Sequence, residues 1–290
     1  MENRTSKQKV WFITGASSGM GLALTKLVLS KGDKVAATSR NIEELETKIT
    51  ENKEHLLPLQ VDITSDESVK GAVKQTIEKF GKLDVVVNNA GYVLLGSLEE
   101  ITDKEFREVL DVNLFGTVNV IRAVMPYLRM QQFGHIINFS SNAGYVGMAN
   151  VASYNAGKFA VIGISEALHN EVEAFGIKVT VVAPGEIRTN LWASGHLKSA
   201  KNKVDAYKSE KLEKTLSLNS GKQQGDPEKL VNIFVDIANN PNPPLHLLLG
   251  PDTYQMVIDQ REKEKQEIET WKEVTLSTNF KDWVGEPTKL

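Results

Sequence analysis

Short, unbroken apolar runs alternate with longer amphipathic ones through most of this chain. Val10–Thr14, Val35–Thr38, Leu56–Val61, Leu83–Val87, Ile136–Ser140, Val179–Ala183 and Leu245–Leu249 each have the length of a β-strand. A strand that is apolar on both faces is covered on both faces, which is the mark of a parallel sheet. Pro58 cannot donate to a ladder and places the third run at an edge. Between the runs the apolar period switches to that of a helix. Leu22, Leu24, Leu27, Val28 and Leu29 share a helix that stops near Lys31-Gly32. Ile42–Thr50 reads as a polar helix. Ser65 caps another, with Val69, Ala72, Val73, Ile77 and Phe80 on one face. Parallel neighbours need such crossovers, and their fixed handedness winds the sheet in both directions from its middle.

The expected fold class is therefore α/β: a doubly wound parallel sheet of Rossmann type, about seven strands with helices on both faces. Ligands of such a sheet bind beyond the carboxyl ends of its strands. The 290 residues would allow two domains, but no linker or repeat interrupts the chain before residue 190. Residues 1–250 read as one domain. Its segment 190–226, with seven Lys against four acids, follows the sixth strand and overhangs the ligand end as a mobile lid. Residues 251–290 read as a C-terminal helical extension, exposed around the charged stretch Asp259–Glu267.

Composition removes several chemistries. Without Cys there is no thiolate nucleophile and no Cys-ligated metal. The net charge of −3 offers no global field to hold nucleic acid. His55, His135, His169, His196 and His246 show no metal-binding spacing, so no metal site is expected, and His169 with Glu173 reads as an exposed helix pair. Met1–Lys9 is polar, unlike a secretory leader, and no apolar run approaches 18 residues. The Thr288-Lys289-Leu290 ending matches a peroxisomal signal only faintly. A cytoplasmic protein with no membrane or nucleic-acid partner is the expectation.

Thr14-Gly15-Ala16-Ser17-Ser18-Gly19-Met20-Gly21 joins the first strand to the first helix. Gly15 permits a tight turn, Gly19 lets backbone approach a pyrophosphate, and Gly21 allows the helix to pack against the sheet. Free N–H groups at the helix start, with its dipole, suit phosphate charge. Gly15, Ser17, Ser18, Gly19, Met20 and Gly21 are thus candidate nucleotide-binding positions. At the end of the second strand, Thr38-Ser39-Arg40 carries no acid before Glu43. An acid there would bond a ribose 2′-hydroxyl; Arg40 instead offers a bidentate fork for a 2′-phosphate. NADP is expected over NAD.

Tyr154 and Lys158 stand four residues apart in a helical segment, on one face. At a distance of ~5 Å, an ammonium favours the phenolate by roughly 3 kcal/mol at an effective dielectric of 20, or about two pKa units. That would let the Tyr work as an acid and base. Ser141 lies 13 residues before Tyr154, past the end of a strand, and Asn113 lies in the helix-like segment Val109–Val124.

In this ordered set the chain resembles the short-chain dehydrogenases/reductases of single-domain type, over about residues 10–250. The resemblance rests on the turn at 14–21, Asp62, Asn88-Asn89-Ala90-Gly91, Asn113, Ser141, Tyr154-Asn155-Ala156-Gly157-Lys158, and Pro184-Gly185 with Thr189. Met20 stands where Ile or Leu is commoner. Ser140 offers a second hydroxyl, but the spacing to Tyr154 favours Ser141. The resemblance implies reversible hydride transfer between NADP(H) and a carbonyl or secondary alcohol. Ser141 would hold the substrate oxygen and Tyr154 would be the acid/base. Lys158 would bind the nicotinamide ribose and depress the Tyr pKa; Asn113 would position a relay water. Asp62, with Ile63, would meet the adenine; Asn89, Ala90 and Gly91 would run along the adenosine side. Pro184, Gly185, Ile187 and Thr189 would hold the nicotinamide carboxamide. Asn88 would instead brace the sheet.

Ala143, Val146, Met148, Asn150, Glu186, Leu191 and Trp192 are the pocket candidates, mostly apolar, for a small-molecule substrate of carbonyl, steroid or retinoid type. The resemblance also implies a homodimer or homotetramer through the helices around 102–129 and 152–175. The competing reading is a non-catalytic sensor or scaffold that binds the nicotinamide cofactor without turnover.

Overall fold

A computed structural model describes residues 8–193, 197–280, 282, 283 and 285. Most of Met1–Lys9, His196, and the Thr288-Lys289-Leu290 ending lie outside the described residues.

The first half of the chain alternates as expected: β1 (Val10–Ile13), α1 (Gly19–Ser30), β2 (Lys34–Ser39), α2 (Ile42–Lys48), β3 (Leu56–Gln60), α3 (Asp66–Phe80) and β4 (Val85–Asn88). Helix α2 stops two residues early because Ile49 turns to extended backbone and buries its side chain. Helix α3 starts on the Ser65 cap and ends on Gly81 at φ 77°, where no side chain opposes the left-handed turn. Then follow β5 (Leu94–Leu95), α4 (Asp103–Leu110), α5 (Gly116–Gln131), β6 (Gly134–Phe139), α6 (Ala152–Val172), β7 (Ile177–Pro184), β8 (Lys198–Ser199), α7 (Ser209–Leu218), α8 (Pro227–Asn239), β9 (His246–Leu249), α9 (Pro251–Thr270) and α10 (Lys272–Leu276).

Seven parallel strands form the sheet in the order β3-β2-β1-β4-β6-β7-β9, with Pro58 on the β3 edge. The direction of winding reverses between β1 and β4. The pleat sends alternate side chains to opposite faces. Trp11, Ile13, Val85 and Val87 join one core with Leu24 and Val28 of α1 and Phe234 of α8. Val10, Phe12 and Val86 join the other, with Val73 of α3, Val120 and Leu128 of α5, and Leu168 of α6.

Helices α4 and α5 run on as one helix, Asp103–Gln131, through a π-turn at Asp111–Phe115. By length and composition it could cross a membrane. Its apolar share includes Val109, Val120, Ala123, Val124 and Leu128, all buried inside the protein.

The 190–226 segment is tied to the body at several points. Strand β8 pairs with β5, and the Ala200 N–H donates to the Leu95 carbonyl at 2.7 Å. The buried Glu100 carboxylate accepts from the N–H groups of Ser97 (2.7 Å) and Val204 (2.9 Å) and from the Ser209 hydroxyl (2.8 Å). Glu105, which closes the capping box of α4 with Thr102, also accepts the Lys201 N–H at 3.1 Å. Beyond β9, α9 leaves the body with its far half fully exposed.

Candidate active site

The glycine turn lies beyond β1, at the reversal point of the sheet. Gly15 and Gly19 adopt φ of 66° and 53°, which glycine enters without steric cost. A Cβ on Gly21 would overlap the Gly15 carbonyl and crowd the Asn89 amide. Gly21 therefore lets α1 close onto the turn itself, rather than onto the sheet as its spacing suggested. The turn is locked from β4. The Asn89 amide donates to the carbonyls of Thr14 (2.9 Å) and Gly15 (3.2 Å), and the N–H groups of Asn89 and Ala90 both donate to the Thr14 hydroxyl at 3.0 Å. Ser18 caps α1 by backbone alone, its side chain making no cap bond, and no acid stands in the first turn. A Cβ on Gly19 would meet nothing nearer than the Thr189 side chain at 3.9 Å. The N-terminus of α1 thus faces an open cleft with bare backbone, which fits a pyrophosphate.

Four side chains converge next to this cleft. Ser141 follows β6 and starts a single 3-10 turn, Asn142–Gly144. Its Oγ accepts the Ala143 N–H at 3.2 Å and donates to Asn142 Oδ1 at 2.9 Å. Ser140 is otherwise engaged: its buried hydroxyl donates to the Lys158 carbonyl at 2.9 Å. That contact ties up the Ser140 hydroxyl and agrees with the spacing, which favoured Ser141. Tyr154 and Lys158 lie on α6, with Lys158 Nζ 5.5 Å from the Tyr154 ring centroid. Lys158 is 4% exposed and donates to the Phe139 carbonyl at 2.8 Å; burial pushes its pKa down to about 8. Asn113 is carried inward by the π-turn, a distortion frequent at functional sites. Its amide group grips the Tyr92 backbone from both sides, at 2.8 and 3.0 Å. A Cβ on Gly91 would overlap Asn113 Oδ1 and stand 3.6 Å from Lys158 Nζ. Gly91 is thus the point where the β4 loop, the π-turn and α6 meet.

The Tyr154 pKa differs in direction from the expectation. Burial raises it above its ordinary value, and the Ser141 hydroxyl, close enough to favour the phenolate, only partly offsets that. The depression expected from Lys158 is not seen, because the same burial that surrounds Tyr154 also weakens the hold of Lys158 on its proton.

A family model for short chain dehydrogenase matches residues 9–199. The chain belongs to the short-chain dehydrogenase family. This dehydrogenase is 38% identical over 273 residues to oxidoreductase BOA17 of Botryotinia fuckeliana, covering 93% of the chain and 99% of the relative. It is 36% identical over 244 residues to a 3-ketodihydrosphingosine reductase of Bacteroides thetaiotaomicron, covering 84% and 88%. A short-chain dehydrogenase structure from Streptomyces avermitilis superposes with a TM-score of 0.87 at 32% identity, covering 94% and 100%. Two structures share the fold at lower identity. One is an alcohol dehydrogenase of Thermococcus sibiricus with 5-hydroxy-NADP (TM-score 0.70, 24% identity, 84% and 96% covered). The other is a Burkholderia phymatum short-chain dehydrogenase/reductase with NAD (TM-score 0.77, 21% identity, 98% and 99% covered). The chain is an oxidoreductase by family.

Arg40 is exposed at the end of β2, with its guanidinium in no ion pair among the described residues. Asp62, beyond β3, accepts the N–H and hydroxyl of Thr64 at 3.0 and 2.7 Å. Ile63 packs on Gly116 of α5, and its carbonyl accepts the Asn119 amide at 3.1 Å. Pro184 ends β7 beside Leu249. Ile187 is buried, while Thr189 caps the 3-10 turn Asn190–Trp192 as it faces Gly19. Ser17 and Met20 stand half-buried on either side of the α1 start. Asn88 does brace the sheet: its amide donates to Asn138 at 2.8 Å, and Asn138 donates to Ser165 at 2.9 Å.

Two features gave no sequence signal. Thr14, the pin of the glycine turn, belongs to the motif but has no charge or spacing to single it out. The Tyr145 hydroxyl meets His246 Nδ1 at 2.7 Å, and His246 Nε2 lies 3.4 Å from Glu166. That cluster joins residues about a hundred positions apart. By contrast, His169 makes no ion pair with Glu173.

Proposed function

We propose that this dehydrogenase transfers a hydride reversibly between C4 of NADP(H) and a carbonyl or secondary alcohol carbon of a small, fairly apolar substrate. The reading is carried by one observation: Asn113 and Lys158 meet at Gly91, Lys158 Nζ lies 5.5 Å from the Tyr154 ring, and Tyr154 is within reach of the Ser141 hydroxyl. The nicotinamide, when bound, supplies the hydride. The chain supplies position and the proton. Tyr154, whose pKa lies above the ordinary value, is protonated at neutral pH and donates to the carbonyl oxygen in the reductive direction. Ser141 holds the same oxygen. Lys158, at about 8, exchanges its proton near physiological pH and faces the ribose side past Gly91. Both polar ends of the Asn113 side chain are taken by Tyr92, and its backbone carbonyl accepts the Thr117 hydroxyl at 3.3 Å, so a relay water would use that carbonyl's second lone pair.

Arg40, exposed at the end of β2, favours the 2′-phosphate of NADP. Val146, Met148, Leu191 and Trp192 give the substrate an apolar surround, with Ala143 fully buried behind it, and the Bacteroides relative is named for a ketone reduction. The 190–226 segment serves as a lid over this pocket. Pairing of two copies through α5 and α6 would cover the exposed Phe115 and Phe159, as a homodimer or homotetramer. A screen of NADPH oxidation across aldehydes, ketones, quinones, steroids and retinoids tests the reading. Turnover of at least one apolar carbonyl is expected; a protein that binds NADPH and turns over none would be the sensor instead.

A further inference from the structure

The C-terminal extension enters the site at one place. Strand β9 ends at Leu249 beside Pro184 of β7, and α9 starts two residues later. Asp252, in the first turn of α9, turns its carboxylate away from its own helix. Its Oδ2 accepts the backbone N–H of Glu186 at 2.8 Å. The carboxylate fills the space that a Cβ on Gly185 would need, and it crowds Gly250 in the same way. Both glycines are room made for this group. One turn further on, Asn142, in the turn behind Ser141, donates its amide to Met256 Sδ at 3.7 Å. The first two turns of α9 therefore touch both walls of the site.

On its other side the strap from Gly185 to Thr189 hangs from Gly225. The Gly225 N–H donates to the Glu186 carbonyl, and the Arg188 N–H donates to the Gly225 carbonyl, both at 2.9 Å. Asp252 is thus the one side chain among the described residues that fixes the strap from the β9 side. We propose that Asp252 is a positioning residue for the reaction: through the Glu186 N–H it sets the strap over the cofactor cleft, opposite Gly19. This rests on the functional reading above. It gives the extension a task, and it accounts for Gly185 by a neighbour as well as by the cofactor.

An acid in the first turn also stabilises its helix through the helix dipole. That role alone would move the melting temperature and leave the cleft unchanged, so the test separates the two. Full-length wild type, Asp252→Ala and Asp252→Asn are titrated with NADPH by fluorescence in the absence of substrate, beside their melting curves. Asp252→Ala is expected to weaken NADPH binding at least fivefold. Asp252→Asn keeps an oxygen to accept from Glu186 and stays within twofold of wild type. Should the Ala variant not fold, Asp252→Ser keeps a polar group at the helix start but falls short of the Glu186 N–H, and carries the same expectation. An Ala or Ser variant that binds NADPH like wild type, or an Asn variant as weak as these, overturns the inference while the functional reading stands. A wild type that binds neither NADPH nor NADH overturns that reading, and this inference with it.

Discussion

Lys158 stands one helical turn below Tyr154 with its ammonium 5.5 Å from the Tyr ring, yet it is to the Phe139 carbonyl that it donates. The pair is arranged for a protonated Tyr at rest, since burial keeps the phenol above its usual pKa. Tyr154→Phe removes the proton donor and leaves the cleft walls in place. It should retain NADPH binding and lose at least ~100-fold in kcat, the scale of a lost general acid. Turnover near wild type, with saturating cofactor, would sink the acid role.

The buried Lys158 makes a second prediction, in stability rather than rate. Its folded pKa of about 8 lies below its ordinary value of 10.5, so the unfolded chain binds more protons between those limits. Its contribution to stability therefore rises with pH from about 8 to 10.5, and its charged form costs up to about 3 kcal/mol below pH 8. Lys158→Met should lose this rising limb. Denaturant midpoints of the two proteins from pH 7 to 10.5 check it: the wild type gains on the variant as pH rises. Parallel curves would show that Lys158 is not desolvated as described.

Most of the sheet could be read from the chain because its strands are covered on both faces. Val85-Val86-Val87 has no polar face to confuse the period, and Val85 and Val87 enter one core while Val86 enters the other. The pairing of β5 with β8 could not be read. Leu94-Leu95 and Lys198-Ser199 are two residues each, too short for any period, and their partnership is set by where Glu100 and Glu105 hold the 198–209 stretch. A π-turn within Asp103–Gln131 was equally hidden, since its apolar residues keep a helical spacing on either side.

The site divides along the same line. Residues that must be one type for backbone reasons, such as Gly15 and Gly19, announce themselves by spacing, and their φ angles bear that out. Contacts between distant segments do not. Gly185 belongs to a motif, but the carboxylate that needs its missing Cβ lies 67 positions later, at Asp252. The sign of the Tyr154 shift was also out of reach, because pair spacing reports the nearby charge and not the burial that outweighs it.

Arg40 carries the cofactor prediction. No acid follows β2 before Glu43, and the exposed Arg40 guanidinium, in no ion pair among the described residues, can fold over a 2′-phosphate. Arg40→Asp substitutes a carboxylate that repels the phosphate and suits a 2′-hydroxyl. The ratio of kcat/KM for NADPH over NADH should fall at least tenfold. Steady-state kinetics with both cofactors measures it, and an unchanged ratio would place the discrimination elsewhere.

Glu100 is the last test, since it decides whether the 190–226 segment is held from beneath. Burial pushes its carboxyl up, but the N–H groups of Val204 and Ser97 and the Ser209 hydroxyl outweigh that and hold it at about 2. A carboxylate depressed in this way stabilises the fold fully above its unfolded pKa of ~4.5, and loses that contribution as pH falls through its folded value. Glu100→Gln turns an amide N–H₂ toward groups that all donate. Each hydrogen bond to a charged group contributes roughly 1.5–3 kcal/mol, and at least one is lost in the Gln variant. The variant should melt lower at pH 7, and limited proteolysis should cut it faster within 198–214. The gap in melting temperature should narrow as pH falls from 4.5 toward 2. A variant with wild-type melting and wild-type cleavage would mean that the other ties, through β5, Glu105 and Glu99, hold the segment without Glu100.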